Sequence, residues 1–204
     1  MFEQIAVVVG ITFLAMISPG PDMVIVTKNT LLAGRMPGLW TSLGILGGNA
    51  IHMIYCALGV GWIISQSIVA FSILKYAGAA YLIYLGIMSL RAEEKPLDLV
   101  TTGQVTADKG WFWQGFVNNV LNPKATLFYL GVFTVVITAE TSVATTLLLV
   151  VCMKLVSGSF WVLFVYTLDR PFIRTVLERS QRYVNRVFGI LLIGLGVRVA
   201  ILEG

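Results

Sequence analysis

Six long apolar stretches dominate this sequence of 204 residues. They cover approximately residues 5–33, 39–64, 68–90, 111–138, 143–168 and 184–202. A helix needs about 20 apolar residues to cross a hydrocarbon core roughly 30 Å thick, and each stretch reaches or approaches that length. Charged side chains make up only 12% of the chain, too few to cover a water-facing surface. We therefore predict an all-α integral membrane protein with six transmembrane helices.

The basic residues predict the orientation of these helices. Ten of the 14 Lys and Arg residues lie in the connections after stretches one, three and five or in the adjoining ends of the stretches: Lys28, Arg35, Arg91, Lys95, Lys109, Arg170, Arg174, Arg179, Arg182 and Arg186. The positive-inside rule places these connections in the cytoplasm and both termini in the periplasm. It also explains the net charge of +4 without a nucleic-acid partner.

A weak internal repeat divides the chain into two halves. Ser18-Pro19 aligns with Asn122-Pro123 at an offset of 104 residues, and glycines of stretches three and six match more loosely. Each half would contain three helices, and an odd number of crossings ends on the other side of the membrane. The second half would therefore start on the side opposite to the first. We predict one transmembrane domain over residues 1–204, with repeat one at about 1–92, a cytoplasmic linker at about 93–110 and repeat two at about 111–204. Inverted repeats are typical of secondary transporters, which function without a cofactor.

The first stretch contains the segment Ser18-Pro19-Gly20-Pro21-Asp22. Two prolines around a glycine break a helix and leave backbone groups unpaired, which a membrane tolerates only against protein or a cavity. The free N–H groups of the second half-helix would attract an anion. An ionisable residue at this depth costs roughly 3 kcal/mol, so Asp22 is a candidate for substrate binding and proton coupling. The alternative is a simple kink with Asp22 as a buried cap.

The fourth stretch contains a second break, at Asn122-Pro123-Lys124. We predict that both broken helices reach the membrane midplane and form one cavity there. Its candidate substrate-binding residues are Ser18, Gly20, Asp22, Asn119, Asn122 and Lys124. Lys124 could instead form a purely structural salt bridge with Asp22.

Four strings carry a family resemblance: SPGPD, GRMPGLWTSLGILGGNAIH, AGAAYLIYLGIMSL and GFVNNVLNPKATLFYL. They are similar to segments of the LysE/RhtB family of amino-acid exporters, and the resemblance covers nearly the whole chain. The resemblance implies a six-helix protein of the bacterial inner membrane that exports amino acids or derivatives, in exchange for protons. The helix breaks of the family correspond to Pro19, Pro21 and Pro123 of this sequence. Resemblance to the RhtB branch implies homoserine, threonine or a similar neutral substrate.

Three further polar residues lie within the apolar stretches. Asn49 needs a partner at its depth, which makes it a candidate for substrate binding. His52 is either a packing residue or a proton relay, since histidine changes charge near physiological pH. Lys154 either faces the cavity and binds a carboxylate or pairs with Asp22.

The residues favour a neutral substrate, because a basic amino acid would need a second buried acid. Export of lysine or arginine is the alternative within this class. A metal carrier would need several carboxylates at the membrane midplane, where the sequence places only Asp22. An enzyme would need a Ser or Cys with a base, or a CxxC pair, and the sequence shows neither a GxSG pattern nor paired cysteines. Glycines of the sixth stretch fit either a sliding contact between the repeats or a homodimer face.

Overall fold

The computed structural model describes residues 2–92, 110–138, 140–168 and 171–202. These described residues form eight helices and no strand, which confirms the predicted all-α class. The helices are α1 (Phe2–Ile17), α2 (Pro21–Ala33), α3 (Arg35–Gln66), α4 (Ile68–Arg91), α5 (Trp111–Val120), α6 (Pro123–Val136), α7 (Val143–Thr167) and α8 (Pro171–Leu202). Most of the predicted linker, residues 93–109, lies outside the described residues.

Four of the described helices are long and apolar enough to cross a membrane. They are Arg35–Ile63, Ser72–Arg91, Val143–Thr167 and Arg182–Ile201. The pair α1 and α2, bent by 56° at its break, provides a fifth span if it is counted as one. Helices α5 and α6 are shorter, with 10 and 14 residues. The chain is thus a multi-pass membrane protein with four to five candidate spans by length and composition.

The helix boundaries follow from local chemistry. Helices α2 and α6 both begin at a proline, whose missing N–H is unneeded in the first turn. The Ser67 and Ser142 hydroxyls cap α4 and α7 by accepting from backbone N–H groups at 3.1 Å. Gly34, at a φ of 100°, lies between α2 and α3 and permits the reversal of the chain there.

Glycines bring two helix pairs into close contact. Helix α4 packs along α8, where a Cβ atom on Gly86 would lie 2.6 Å from the Gly189 carbonyl oxygen. Helix α3 packs along α5, where a Cβ atom on Gly115 would lie 2.0 Å from the Thr41 carbonyl oxygen. Small residues permit this approach of backbones, as is common between membrane helices.

Apolar side chains occupy both the interior and much of the exterior. One buried cluster surrounds Tyr129 and Phe133 of α6, and a second surrounds Trp161 and Val165 of α7. Large apolar side chains also lie on the outside, for example Leu58, which is 69% exposed. An exterior of this kind is suited to contact with lipid rather than water.

Candidate functional site

The two helix breaks bring a carboxylate and an ammonium group into one region. Pro21 and Pro123 are the first residues of α2 and α6, so Asp22 and Lys124 each occupy the second position of a half-helix. The two starts are 102 residues apart, two fewer than in the sequence alignment, because Pro21 rather than Pro19 is the structural equivalent of Pro123. An acid at this position is stabilised by the helix dipole, whereas Lys124 is opposed by it.

Both oxygens of the Asp22 carboxylate accept hydrogen bonds from α5. Asn118 Nδ2 donates to Oδ1 at 2.7 Å and Asn119 Nδ2 donates to Oδ2 at 2.8 Å. These two residues belong to the last turn of α5, which ends at Val120 before the second break. The first broken helix, α1 and α2, therefore carries the carboxylate, and α5 of the second broken helix holds this carboxylate in place.

Lys124 is held in the reciprocal way, by the first break. Its Nζ donates to the Ser18 hydroxyl at 3.2 Å and to the Pro19 carbonyl at 3.4 Å. A Cβ atom added to Gly20 would lie 3.5 Å from the same Nζ, so the ammonium rests against this glycine. Its hydrogen bonds run to Ser18 and Pro19 and not to Asp22, which argues against the simple salt bridge that the sequence left open. Asn122 caps α6, since its Oδ1 accepts from the Lys124 backbone N–H at 3.0 Å.

A cavity of about 50 Å³ lies between the breaks. Its polar lining comes from the predicted Ser18, Gly20, Asp22, Asn49, Asn122 and Lys124, and also from Tyr129 and Trp161. Most of the other lining residues are apolar, among them Met16, Leu85, Phe128 and Phe188. A water molecule needs roughly 10–15 Å³ of such space, so the cavity has room for about three to five.

Asn49 and His52 lie on the same turn of α3 but have different surroundings. Asn49 is buried against the cavity, and its Nδ2 has no hydrogen-bond partner. The His52 ring lies 2.9 Å from the Asn119 carbonyl through Nε2 and 2.7 Å from the Tyr55 hydroxyl through Nδ1. A carbonyl can only accept, so Nε2 carries the proton and donates to Asn119. His52 thereby supports the residue that holds Asp22.

Lys154 lies apart from the other predicted site residues. Its Nζ donates to the carbonyl oxygen of Leu46 on α3, and it is not among the residues that line the cavity. The structure therefore shows neither of the two contacts that the sequence suggested for this lysine. The ammonium group donates to a carbonyl of the neighbouring helix α3, and the side chain does not line the cavity.

Sequence reasoning missed three residues of this site. Asn118 belongs to the same motif as Asn119, but only the structure shows that both amides reach one carboxylate. Trp161 and Tyr129 line the cavity, and both side chains are almost completely buried. A signal existed for Trp161, since it lies six residues inside the end of α7 whereas membrane-interface tryptophans lie at the ends of spans.

Comparison with known proteins gives the class of this molecule. A sequence model of the family described as "LysE type translocator" matches residues 13–203. The chain belongs to this family of membrane transporters, which confirms the resemblance found in the sequence.

Among the described residues, no group of three or more His, Cys, Asp or Glu side chains is placed to hold a metal ion.

Individual relatives are similar over almost their whole length. The chain is 30% identical to a leucine efflux protein of Salmonella typhimurium, over 96% of this chain and 93% of that one. It is 29% identical to the uncharacterized membrane protein YrhP of Bacillus subtilis, over 95% and 96% of the two chains. It is 28% identical to the uncharacterized membrane protein YahN of Escherichia coli, over 90% and 83%. No solved structure matches.

Proposed function

We propose that this protein exports a small neutral amino acid or a derivative from the cytoplasm, in exchange for protons. One observation carries the proposal: the starts of two half-helices place a carboxylate and an ammonium group at one buried cavity. A zwitterion has the two complementary charges. Membership in a translocator family and the name of the leucine efflux relatives support export of this kind of compound.

Both charged groups keep unused hydrogen-bonding capacity for a substrate. An ammonium group has three N–H donors, and Lys124 uses two of them on Ser18 and Pro19. A carboxylate accepts about four hydrogen bonds, and Asp22 accepts two from the asparagines. In this proposal Asp22 binds the ammonium group of the substrate. Lys124 and the free N–H groups at the start of α2 bind its carboxylate.

The lining of the cavity favours a neutral substrate with an apolar side chain. Asp22 is the one carboxylate among the described residues that line it, so a lysine or arginine side chain would lack a partner. The apolar side chains of Met16, Leu85, Phe128 and Phe188 suit an aliphatic group better than the hydroxyl of homoserine or threonine. Basic amino acids remain the alternative substrate class, and a metal ion is a weaker one.

Asp22 is the proposed site of proton coupling. Protonation removes the charge that holds the ammonium group of the substrate, so proton entry from the periplasm would promote substrate release. The cavity has room for only about three to five waters, a smaller space than an amino acid of leucine's size needs. The cavity must therefore widen during transport, which requires the helices around it to move.

We further propose six spans arranged as two inverted repeats, with α1 and α2 forming the first span and α5 and α6 the fourth. The packing of α4 on α8 supports this arrangement. Gly86 lies against Gly189, and Gly196 lies against Ala79. At an offset of 110 residues, position 79 corresponds to position 189 and position 86 to position 196. If corresponding positions are exchanged, the contact between 86 and 189 becomes the contact between 196 and 79. A two-fold axis between the repeats would produce this relation.

The orientation in the bacterial inner membrane, with both termini in the periplasm, belongs to the same proposal and rests on the distribution of Lys and Arg. Labelling of single cysteines introduced at Glu3 and at Arg35 with an impermeant reagent tests it. We expect labelling of intact spheroplasts at position 3 only. Labelling at position 35 instead would reverse the orientation.

Transport in proteoliposomes tests the proposed function. The vesicles are loaded with radiolabelled neutral or basic amino acids, and efflux is followed with and without a pH gradient. We expect efflux of neutral amino acids that the gradient accelerates. Asp22→Asn should abolish the acceleration, and Lys124→Ala should raise the KM for the substrate. Full proton dependence in Asp22→Asn would exclude the coupling role, and an unchanged KM in Lys124→Ala would remove the lysine from the site.

A further inference from the structure

Two buried N–H donors on residues that line the cavity have no acceptor, and the Tyr129 hydroxyl there has no partner either. The amide nitrogen of Asn49 and the indole nitrogen of Trp161 lie on residues that are each 2% exposed, and neither atom has a partner. Both residues line the cavity that Asp22 and Lys124 also line. Buried polar groups are nearly always paired, because a donor that loses water without gaining an acceptor is costly. The two donors are therefore available to an acceptor that enters the cavity.

The chemistry of this acceptor follows from the surrounding groups. An indole N–H can only donate, and the ammonium group of Lys124, another residue of the cavity lining, can only donate too. The three groups come from three helices, α3 for Asn49, α6 for Lys124 and α7 for Trp161. The one anion among the lining residues, Asp22, is already held through both oxygens by α5. A set of donors with a positive charge matches a ligand that only accepts, such as a carboxylate.

Ring contacts position the Trp161 indole. Its ring meets Phe160 and Phe164 in edge-to-face contacts, with centroids 5.3 and 5.7 Å apart. Such contacts restrict the orientation of the indole, so that little further ordering is needed when a ligand binds. Val165 and Ile45 belong to the same buried apolar cluster as Trp161.

We propose that Asn49 and Trp161, together with Lys124, bind the carboxylate of the substrate. Trp161 then makes the protein specific for compounds that carry this group. The inference rests on the proposed function, since it assumes that the cavity takes an amino acid, but it assigns a role to a residue that neither the helix breaks nor the family comparison indicates. Asp22 still binds the ammonium group at the other end of the substrate.

A binding experiment with matched ligands tests this assignment. Radiolabelled L-leucine is bound to the purified protein in detergent and displaced by unlabelled L-leucine or by L-leucinamide, which has the same size but no carboxylate. The variant is Trp161→Phe, which keeps an aromatic ring and removes the N–H. The control is Trp62→Phe, the same change at a residue of α3 that is 66% exposed and outside the cavity.

The wild-type protein should prefer L-leucine to L-leucinamide. Trp161→Phe should weaken binding of L-leucine by roughly ten- to a hundredfold, the range for a hydrogen bond to a charged group. It should weaken binding of L-leucinamide by no more than about threefold, so that the preference for the carboxylate shrinks. A merely structural role would weaken both ligands equally, and Trp62→Phe should change neither.

Two results separate failure of this inference from failure of the proposed function. If the wild-type protein binds no amino acid of a neutral panel, the proposed function is wrong. If it binds one and Trp161→Phe keeps the full preference for the carboxylate, the subsite is wrong while the function stands. Should Trp161→Phe fail to fold, Asn49→Leu, which removes a donor at similar volume, is measured in the same way and must shrink the same preference.

Discussion

The contact between α4 and α8 gives the sharpest test of the packing. A Cβ atom on Gly86 would lie 2.6 Å from both the Gly189 carbonyl oxygen and Ile193 Cγ1, whereas ordinary contacts begin at 3.4 Å. In Gly86→Ala the helices must therefore separate by about 0.8 Å, the difference between these two distances. Overpacking of this kind costs about 1–3 kcal/mol of the free energy of unfolding. One clashing neighbour is a backbone atom and the other belongs to a branched side chain. The strain therefore cannot relax by rotation of a flexible side-chain end.

Thermal unfolding of the purified protein in detergent measures this cost. A chain of this size loses about 2–4 °C of Tm per kcal/mol. The better helix propensity of alanine offsets up to about 1 kcal/mol of the overpacking cost, so a net cost of about 1–2 kcal/mol predicts a decrease of roughly 2–8 °C. The control is Gly194→Ala on α8, where an added Cβ atom meets nothing within 4 Å. Alanine is also the better helix former, by about 1 kcal/mol at most, so the Tm of the control should stay the same or rise slightly. Equal Tm values for the two variants would refute the close approach of these backbones.

Three more variants test the site. Asn119→Ala removes one of the two hydrogen bonds on Asp22 and should lower the efflux rate by about tenfold or more, measured in proteoliposomes; a normal rate would show that Asn118 suffices. His52→Gln keeps a side-chain donor for the Asn119 carbonyl but cannot titrate, so we expect efflux with an unaltered pH profile; loss of the pH dependence would instead establish His52 as the proton relay. Lys154→Met should leave the KM for the substrate within about twofold while lowering the Tm, because the ammonium bonds to Leu46 outside the cavity; a large rise in KM would return this lysine to the site.

The sequence alone predicted the class of fold and the positions of the breaks. An apolar stretch long enough to span a bilayer must be helical, since every backbone group has to be paired within the membrane. Prolines then interrupt a helix wherever they occur in its interior, because they lack a donor and clash with the preceding turn. Both effects are local, so Pro21 and Pro123 could be placed without any knowledge of the tertiary structure.

Which groups satisfy the buried charges could not be predicted in this way. The sequence left open a salt bridge between Asp22 and Lys124, but two asparagines hold the acid and the opposite break holds the lysine. A charge in a membrane takes the nearest suitable partner, and that partner is set by the register and rotation of neighbouring helices. The same reason explains why Lys154 bonds to Leu46 and does not reach the cavity.

The sequence thus determined that this protein is a membrane protein with two broken helices, because hydrophobicity and proline act within a few residues. Which side chains meet at the breaks depends instead on how the helices pack against one another. This packing placed Asn118 on Asp22 and left the Trp161 indole without a partner beside the cavity. Such contacts depend on the packing of helices that are far apart in the chain, and glycines such as Gly86 and Gly115 set how closely those helices approach.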